Sequence, residues 1–453
     1  MSLTKFRISL LLAGVVSAAA IDPYPDTVRD EGGRAILALG PQQELAASNL
    51  LGSGLDYFPD EGTSLLASPA GTIRLLVGTG SGWLMTGNGN LGNVAWTAVS
   101  KVLEPDSASK FDNGYAGFSG AWTDTTGRVW GVYHAEDHVG LPDIPGTQIP
   151  GFYATVALAV SNDSGKTWTK EGPLVRSHAA KDTASGAKTD QGAGEPGLVA
   201  SPDGKWLYLD YTDHSPPDNL DTRICLARIP IQAGIPQPSL CAKWDGSGFT
   251  RSCLGGRDTS VLLADSVLGG PLRGIVLEGH PSWIPYLGKY AMAFGVFPWV
   301  GLGDTSLIGT WIAFSTDMIH WIDFARLLHD NSIPVPGKSL SWEASILPDD
   351  SSASRAWLVY GTTPRWPDSS GGQGTHAVRR HMAWSSTSTS SLVPRTTPSA
   401  SARPPGTRNR SGPERSVDGR VLEGRSDEWK IRLPGGEGPE GNASRPTGID
   451  DPP

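Results

Sequence analysis

The chain has 453 residues, of which 57 are Gly, 36 are Pro and 16 are Trp, and its formal net charge is −9 at pH 7. This acidic balance gives no basic footprint for nucleic acid or for an anionic membrane. The many turn-forming residues and the supply of aromatic residues favour a large β-protein, for which carbohydrate is a more natural partner.

Residues 1–20 predict a secretory signal peptide. A positively charged start over 1–7 is followed by a short apolar run over 8–16 and by small residues up to Ala20, which is the pattern of such leaders. The run is too short to span a bilayer, and no later run reaches the ~20 apolar residues that a membrane helix needs. We expect a secreted, extracellular monomer cleaved near Ala20, with an uncleaved membrane anchor as the alternative.

Residues 34–39 form a short apolar segment, and from residue 60 onward short strand candidates recur in groups separated by turn residues. The first strands of these groups begin near residues 60, 119, 195, 280 and 343, and each group has three or four strands. Radial repetition of four-stranded antiparallel sheets predicts an all-β fold, a five-bladed β-propeller over 21–385. A β-sandwich is the alternative for so many short strands. The segment 34–39 is expected to complete the fifth group.

One turn motif sets the register of these groups. Residues 161–168 read Ser-Asn-Asp-Ser-Gly-Lys-Thr-Trp and fit the Asp-box pattern S-x-D-x-G-x-T-W. In such a turn the Asp side chain accepts backbone N–H groups, the Gly takes the bend and the Trp packs behind it. Residues 315–321 match the same pattern less completely. Both predict outer turns between a third and a fourth strand, away from any substrate.

The three cysteines, Cys225, Cys241 and Cys253, lie within one stretch of the third group. In an oxidising compartment they allow one disulfide and leave one thiol over. All three pairings remain open at this stage. A local structural disulfide is favoured over a reactive or metal-binding role for these cysteines.

The composition changes at residue 386. Residues 386–453 are rich in Ser, Thr, Pro, Arg and Gly and contain few apolar residues, so this tail is predicted to be disordered. Asn162, Asn409 and Asn442 begin N-x-S/T sequons, which predict a glycoprotein.

The first strands of a propeller line a central funnel, and ligands bind at one of its mouths. Polar residues at the starts of those strands or on nearby loops are therefore candidates for function: Asp60, Glu61, Glu136, Asp137, Glu195, His280 and Glu343. Paired carboxyl groups suit cleavage of a glycosidic bond, which needs one carboxylic acid and one carboxylate whose pKa values are set apart. Trp122, Trp283 and Trp342 are candidates for stacking on sugar rings.

The five groups, the Asp-box form over 315–321 and the Glu-Pro-Gly over 195–197 together resemble the five-bladed propeller glycoside hydrolases of families 43 and 32, within the wider Asp-box or sialidase-like superfamily. The resemblance implies that a blade-one Asp is base or nucleophile, a blade-two acidic residue tunes pKa values and a blade-three Glu donates the proton. By position these are Asp60, Asp137 and Glu195. The expected function is thus a secreted hydrolase of a poly- or oligosaccharide. A non-catalytic lectin-like propeller and a sialidase-like exo-glycosidase with a Tyr nucleophile are the alternatives.

The stretch His-Ala-Glu-Asp-His over 134–138 is the densest polar cluster in the chain. His134, Glu136 and Asp137 are predicted to face the funnel, with the first two binding substrate. Its two histidines also allow a metal-ligand role, and His280 either contacts sugar or joins a structural cation. No cofactor is expected.

Overall fold

The computed structural model describes residues 26–30, 33–47, 50–53, 55, 58–108, 110–143, 150–184, 187–215, 222–263, 274–298, 309–328, 340–349, 354–363 and 376–384. One compact unit comprises 1–142 and 150–394, and of a second unit, 143–149 and 395–453, only Asp143 is described. The predicted signal peptide and the predicted tail lie outside the described residues.

The described residues form 25 β-strands, two short 3-10 turns (Leu50–Gly52 and Pro238–Leu240) and no α-helix. In chain order the strands are β1 (Asp26–Arg29), β2 (Ala35–Leu39), β3 (Gln43–Ala47), β4 (Ser64–Leu65), β5 (Thr72–Thr79), β6 (Ser81–Asn88), β7 (Ala95–Leu103), β8 (Tyr115–Thr123), β9 (Val129–Asp137), β10 (Phe152–Ser161), β11 (Thr169–Val175), β12 (Asp190–Ala200), β13 (Trp206–Asp213), β14 (Arg223–Gln232), β15 (Ile235–Pro236), β16 (Ala242–Trp244), β17 (Phe249–Ser252), β18 (Ser260–Leu262), β19 (Gly274–Ile284), β20 (Lys289–Pro298), β21 (Gly309–Ser315), β22 (Ile322–Leu328), β23 (Leu340–Pro348), β24 (Arg355–Thr363) and β25 (His376–Trp384). The expectation of an all-β protein is confirmed.

These strands pair into four sheets. β4–β7 form one four-stranded antiparallel sheet and β19–β22 form another. β23–β25 form a six-stranded sheet with β1, β2 and β3 from the start of the chain, in which β25 pairs with both β2 and β3. The largest sheet has eleven strands and contains two groups, β8–β11 and β12–β18, which are joined by a short parallel pairing of residues 152–154 with residues 190–192. The strands therefore fall into five groups that follow one another along the chain.

The five groups meet through their first strands. β4 contacts β8, β8 contacts β12, β12 contacts β19, β19 contacts β23, and β23 contacts β4 in turn. The core follows the same order, because five hydrophobic clusters each take residues from two consecutive groups. Representative members are Leu76 with Phe118, Leu158 with Leu209, Leu226 with Phe294, Ile312 with Leu358, and Val359 with Ile73.

β10 illustrates how a strand is buried on both faces. Val156 and Leu158 belong to the cluster shared with the third group, whereas Ala157 and Ala159 belong to the cluster shared with the first. Because successive side chains point to opposite faces of a strand, this alternation places β10 between two apolar layers. Small residues face one layer, where Trp168 packs, and large residues face the other.

The two predicted turns are present. Asp163 Oδ1 accepts the backbone N–H of Thr167 (2.9 Å) between β10 and β11, and Trp168 packs against the neighbouring cluster. In the corresponding turn between β21 and β22, Asp317 Oδ1 accepts two backbone N–H groups (2.9 and 2.8 Å) and Trp321 is buried. Each turn follows the third strand of its group, as the sequence predicts.

The prediction for segment 34–39 is also confirmed, because β2 pairs antiparallel with β25, the last strand described. Cys241 and Cys253 form the disulfide, and Cys225 is a buried free thiol. No helix in the described ranges is long and apolar enough to cross a membrane.

Candidate active site

Three glutamates take the same unusual backbone conformation on three of the first strands. Glu195 on β12, Glu278 on β19 and Glu343 on β23 have φ values of 49°, 59° and 51°, in the left-handed region that residues with a Cβ rarely adopt. Each lies where the register shifts between the first and second strands of its group, as in a β-bulge. Bulges re-aim side chains, and repeated backbone strain of this kind is a sign of function.

The bulges bring the three glutamates together. The backbone N–H of Glu343 donates to Glu278 Oε2 (3.2 Å), and the backbone N–H of Glu278 donates to Thr212 Oγ1 (3.2 Å). The Thr212 hydroxyl in turn bonds to the Glu195 carboxyl. Burial raises the pKa of both Glu278 and Glu343, and neighbouring carboxyl groups raise each further.

The first two strand groups add five more polar side chains. His134 Nδ1 lies 2.9 Å from Glu61 Oε1, and His134 Nε2 lies 3.5 Å from Glu136 Oε1. The Tyr115 hydroxyl donates to Asp60 Oδ2 (3.2 Å). The His134 and Glu61 side chains are only 4% and 3% exposed, so they form a buried pair.

His134 is the positive charge at the centre of these carboxyl groups. Burial by itself lowers the pKa of His134, but the carboxylates of Glu61, Glu136 and Glu195 outweigh it and raise the pKa to about 10. Burial raises the pKa of Glu61, and the cationic His134 opposes that rise. The structure therefore favours an imidazolium paired with a carboxylate at neutral pH.

Glu195 is poised between its two protonation states. Burial raises the pKa of Glu195 to about 7, with Glu61 and Glu136 acting in the same direction and His134 and Thr212 against it. A carboxyl group with a pKa near the working pH is suited to give and take a proton.

Asp60 is buried beside this pair. Burial raises the pKa of Asp60 well above its usual range, Glu61 and Glu136 raise it further, and the Tyr115 hydrogen bond and His134 lower it. Proton exchange within the site therefore belongs to the cluster as a coupled set rather than to one residue.

His280 connects the acidic cluster to a partly open cavity. Its Nε2 lies 2.7 Å from Glu343 Oε2, and burial lowers the pKa of His280 to about 3, so the imidazole is neutral. His280 also lines a cavity of about 160 Å³ together with residues of the other first strands, including Ser119 and Ser345. A Cβ at Gly62 would lie 2.5 Å from the His280 ring, so only glycine fits at this position beside the ring.

The structure places Glu136, not Asp137, beside His134. The Asp137 carboxylate bonds to Asn113 (2.6 Å) and pairs with Lys181 (2.9 Å), and these contacts, with its partial burial opposing them, lower its pKa. The two acids are consecutive on β9, so their side chains point to opposite faces. The predicted role of tuning pKa values therefore fits Glu136, which raises the pKa of Asp60 and Glu195.

The tryptophans predicted to stack on sugar do not form a platform. Trp122 packs against the cluster between the second and third groups, and Trp283 packs against the next cluster with its ring 5.0 Å from Tyr290. Trp342 is buried, and its indole N–H donates to the Pro59 carbonyl (2.6 Å), immediately before Asp60. Trp342 is thus part of the buried interior, and the half-buried Trp122 and Trp283 use at least part of their rings in packing.

The histidine pair of the 134–138 stretch is bridged by a carboxylate. Glu136 Oε2 lies 2.6 Å from His138 Nε2, and Glu136 Oε1 faces His134. Within the described ranges, no group of three or more His, Cys, Asp or Glu side chains has the arrangement of a metal site.

Sequence reasoning missed Glu278, Thr212 and Tyr115. Starting the fourth group at His280 left Glu278 outside the strand, whereas β19 begins six residues earlier. The signal was present, because Glu278-Gly-His aligns with Glu195-Pro-Gly and with the Glu-Ala-Ser that begins at Glu343.

No protein-family model matches the sequence, and no curated protein is detectably similar to it. Solved structures do match. An α-L-arabinofuranosidase from Lactobacillus brevis is 10% identical with a TM-score of 0.44, over 72% of this chain and 91% of that one. A Bombyx mori GH32 β-fructofuranosidase is 14% identical with a TM-score of 0.42, over 71% of this chain and 60% of that one. A Cellvibrio cellulosa α-L-arabinanase is 9% identical with a TM-score of 0.40, over 71% and 90%.

By their names, these three solved structures are glycoside hydrolases.

Proposed function

We propose that residues 21–385 form a five-bladed β-propeller whose axis carries a glycoside hydrolase site. Five strand groups, five clusters between consecutive groups and the contact of β23 with β4 support a closed ring. Three of the groups, β4–β7, β8–β11 and β19–β22, have four main strands, which is the usual size of a blade.

The observation that carries the enzymatic proposal is the chemistry of Glu195. Its carboxyl group has a pKa of about 7 and is surrounded by the other acids and by His134. Hydrolysis of a glycoside needs one carboxylic acid to protonate the leaving oxygen and one carboxylate on the other side of the bond. Glu195 is the proposed general acid.

Asp60 is the proposed base. Burial raises its pKa, but its Oδ2 accepts the Tyr115 hydroxyl, and the positive charge of His134 favours its ionised form. Glu136, rather than Asp137, tunes the pKa values of both residues. Carbohydrate is the proposed partner.

Two rival functions remain to be tested beside this one. A lectin-like propeller would bind sugar without cleaving it, and the packing of the half-buried Trp122 and Trp283 against the hydrophobic clusters weakens that alternative. A sialidase-like enzyme would use a Tyr nucleophile, and Tyr115 beside Asp60 is the residue that would serve.

The test is hydrolysis of aryl glycosides, sialosides and polysaccharides by the full chain. Glu195→Gln should lower kcat by about 10²- to 10⁴-fold, with a smaller loss for aryl groups that leave readily because these need less protonation. Glu171→Gln, at an exposed carboxyl on β11, is the matched control. Full activity of Glu195→Gln overturns the acid role, and sugar binding without turnover by the wild type supports the lectin alternative.

The same variants separate the remaining roles. Asp60→Asn should abolish turnover on every aryl glycoside, because a better leaving group does not replace a base. Turnover of sialosides that is lost in Tyr115→Phe, with Asp60→Asn still active, would instead support the sialidase alternative.

We also propose that the protein is a secreted monomer from which residues 1–20 are removed. The charged start, the short apolar run and the small residues before Ala20 support this. N-terminal sequencing and size-exclusion chromatography of the secreted protein would test it, and an intact Met1 on the secreted chain would contradict cleavage.

A further inference from the structure

His138 is the outermost of three polar side chains that lead into the acidic cluster. Its Nε2 lies 2.6 Å from Glu136 Oε2, and Glu136 Oε1 lies 3.5 Å from His134 Nε2. The exposed fraction of the side chain falls in this order, from 24% at His138 to 14% at Glu136 and 4% at His134. Glu136 is therefore held between two imidazoles, of which one is partly exposed and the other is buried.

The backbone around the end of β9 fixes the position of His138. The backbone N–H of His138 donates to Asn113 Oδ1 (3.0 Å), and that of Gly114 donates to the Glu136 carbonyl (2.9 Å). A Cβ at Gly114 would collide with the His138 ring, so the ring packs directly against the glycine backbone. Asn113 also donates to Asp137 Oδ1 (2.6 Å). The Asp137 carboxylate thus helps to hold this turn, while Glu136 and His138 contact each other.

The contact between His138 and Glu136 has the length of a strong hydrogen bond. When the Glu136 carboxyl is ionised, the Nε2–H of His138 donates to Oε2, and the bond is charge-assisted. A carboxylate in a partly buried place is costly and gains hydration by turning toward water. The donor at His138 opposes that movement, because it offers a direct partner inside the site. It therefore keeps the charge of Glu136 close to the other acids.

The neighbouring acids respond to the charge of Glu136. Burial raises the pKa of Glu195 to about 7 and that of Asp60 well above its usual range, and the carboxylates of Glu61 and Glu136 raise both further. Several charged and titratable groups face Glu136 or Glu195, namely Asp60, Glu61, Tyr115, His134, His138, His214, Glu278 and Glu343. A change at Glu136 therefore reaches the whole cluster.

We propose that His138 is a positioning residue that holds the Glu136 carboxylate against the acidic cluster and so sets the pH at which Glu195 exchanges its proton. Without the His138 donor, Glu136 turns toward water and its charge acts less on Glu195. Glu195 then gives up its proton at lower pH. The consequence for catalysis rests on the proposed role of Glu195 as general acid, whereas the consequence for titration does not.

The first experiment follows the titration of Glu195 and needs no substrate. In protein labelled with 13C at the glutamate carboxyl, the Glu195 signal is identified by its loss in Glu195→Gln, and its midpoint should lie near pH 7. His138→Phe, which keeps a ring but has no donor, should lower the midpoint by about 0.5 to 1 pH unit, less than the roughly 1 to 3 units that a charge in direct contact produces. The shift is smaller because Glu136 keeps its charge and loses only its fixed place. An unchanged midpoint overturns the proposal.

Three further variants separate positioning from a general structural effect. His138→Gln offers an amide donor near the place of Nε2 and should keep the wild-type midpoint. Gly114→Ala leaves every titratable group present but displaces the His138 ring, and it should lower the midpoint as His138→Phe does. His320→Phe removes an exposed imidazole from Asp317 Oδ2 (2.7 Å), outside the site, and should change nothing. Equal shifts in His138→Gln and His138→Phe, at matched melting temperatures, would show a merely structural role and overturn the proposal.

A double-mutant cycle tests whether His138 acts through Glu136. Glu136→Gln should lower the Glu195 midpoint by at least as much as His138→Phe does. Adding His138→Phe to Glu136→Gln should give no further shift, because the group on which His138 acts is already uncharged. Full additivity of the two shifts contradicts the proposal, since His138 would then influence Glu195 by another route.

Kinetics separate this inference from the proposed function. The basic limb of kcat/KM reports the loss of the proton from a general acid in the free enzyme, so in His138→Phe it should move to lower pH by the same amount as the NMR midpoint. If the midpoint moves and the limb does not, the acid role of Glu195 fails while the positioning role of His138 stands. If the wild type hydrolyses no glycoside, the proposed function fails, and the NMR midpoints alone decide whether His138 positions Glu136.

Discussion

Replacing Glu195 by Gln should stabilise the protein at neutral pH while removing the proposed acid. The pKa of Glu195 is raised from 4.5 to about 7 in the folded state. Between pH 4.5 and about pH 7 the folded protein binds more protons at Glu195 than the unfolded chain does. The free energy of unfolding therefore falls progressively as the pH rises. A difference of about 2.5 pH units, at 1.36 kcal/mol each, corresponds to about 3 kcal/mol.

The side chain of Glu195 is only 14% exposed, so solvent screening reduces this cost little. Gln carries no charge at any pH and has nearly the same shape. Its variant should therefore match the wild type at about pH 4.5 and exceed it by up to about 3 kcal/mol at about pH 8.

The assay is urea unfolding followed by Trp fluorescence, in half-unit steps from about pH 4.5 to about pH 8. The readout is the difference between wild type and Glu195→Gln, since Asp60 and Glu278 also have raised pKa values and lower stability in both proteins. Glu171→Gln, which removes an exposed carboxyl, controls for the loss of one negative charge. Parallel curves for the wild type and Glu195→Gln would refute the reasoning, because Glu195 would then titrate alike in folded and unfolded chains.

Two further predictions concern stability away from Glu195. Lys243→Met should destabilise the fold by about 3–5 kcal/mol in urea unfolding, because it removes the buried ammonium group from the fully buried Asp258 carboxylate, which then keeps only His178 and Tyr211 as partners. Lys205→Met, at an exposed ion pair, should change the free energy of unfolding by less than about 1 kcal/mol. Equal effects of the two substitutions would contradict this prediction. Trp342→Phe should cost about 1–3 kcal/mol in the same assay, because the buried Pro59 carbonyl loses its indole donor, and an unchanged midpoint would count against that bond.

The strand groups are predictable because their signals are local. Turn residues between short apolar runs mark the hairpins, and the Asp-box over 161–168 gives the order of strands within a group. The pairing of β2 with β25 is also predictable, since an apolar segment near the start of the chain can complete the fifth group.

The site is less predictable because its geometry depends on bulges. A register shift changes which side chain enters the acidic cluster, and a Glu in the left-handed conformation marks such a shift less plainly than a Gly would. A fourth group that is predicted to start at His280 leaves out Glu278, although Glu278-Gly-His aligns with Glu195-Pro-Gly. The choice of Asp137 over Glu136 failed for a related reason, since a shift of one position along β9 exchanges the two faces of the strand.

The tryptophans show a limit of composition. An aromatic-rich chain suggests sugar stacking, but a ring of packed sheets needs large apolar side chains between them, and Trp122 and Trp283 serve there. Burial of each large aromatic ring contributes stability through its apolar area. Aromatic content alone therefore does not separate a binding surface from a core.

The acidic cluster around Glu195, Glu278 and Glu343 concentrates stability costs in one place. Three glutamates in left-handed conformations carry about 1–3 kcal/mol of strain each, and the buried carboxyl groups add the cost of charge in an apolar setting. The five apolar clusters between the strand groups offset this cost from outside the site. If the strain serves catalysis, Glu278→Gly should relieve backbone strain and raise the free energy of unfolding while lowering kcat. A variant that loses both would show that the left-handed glutamate supports the fold rather than the chemistry.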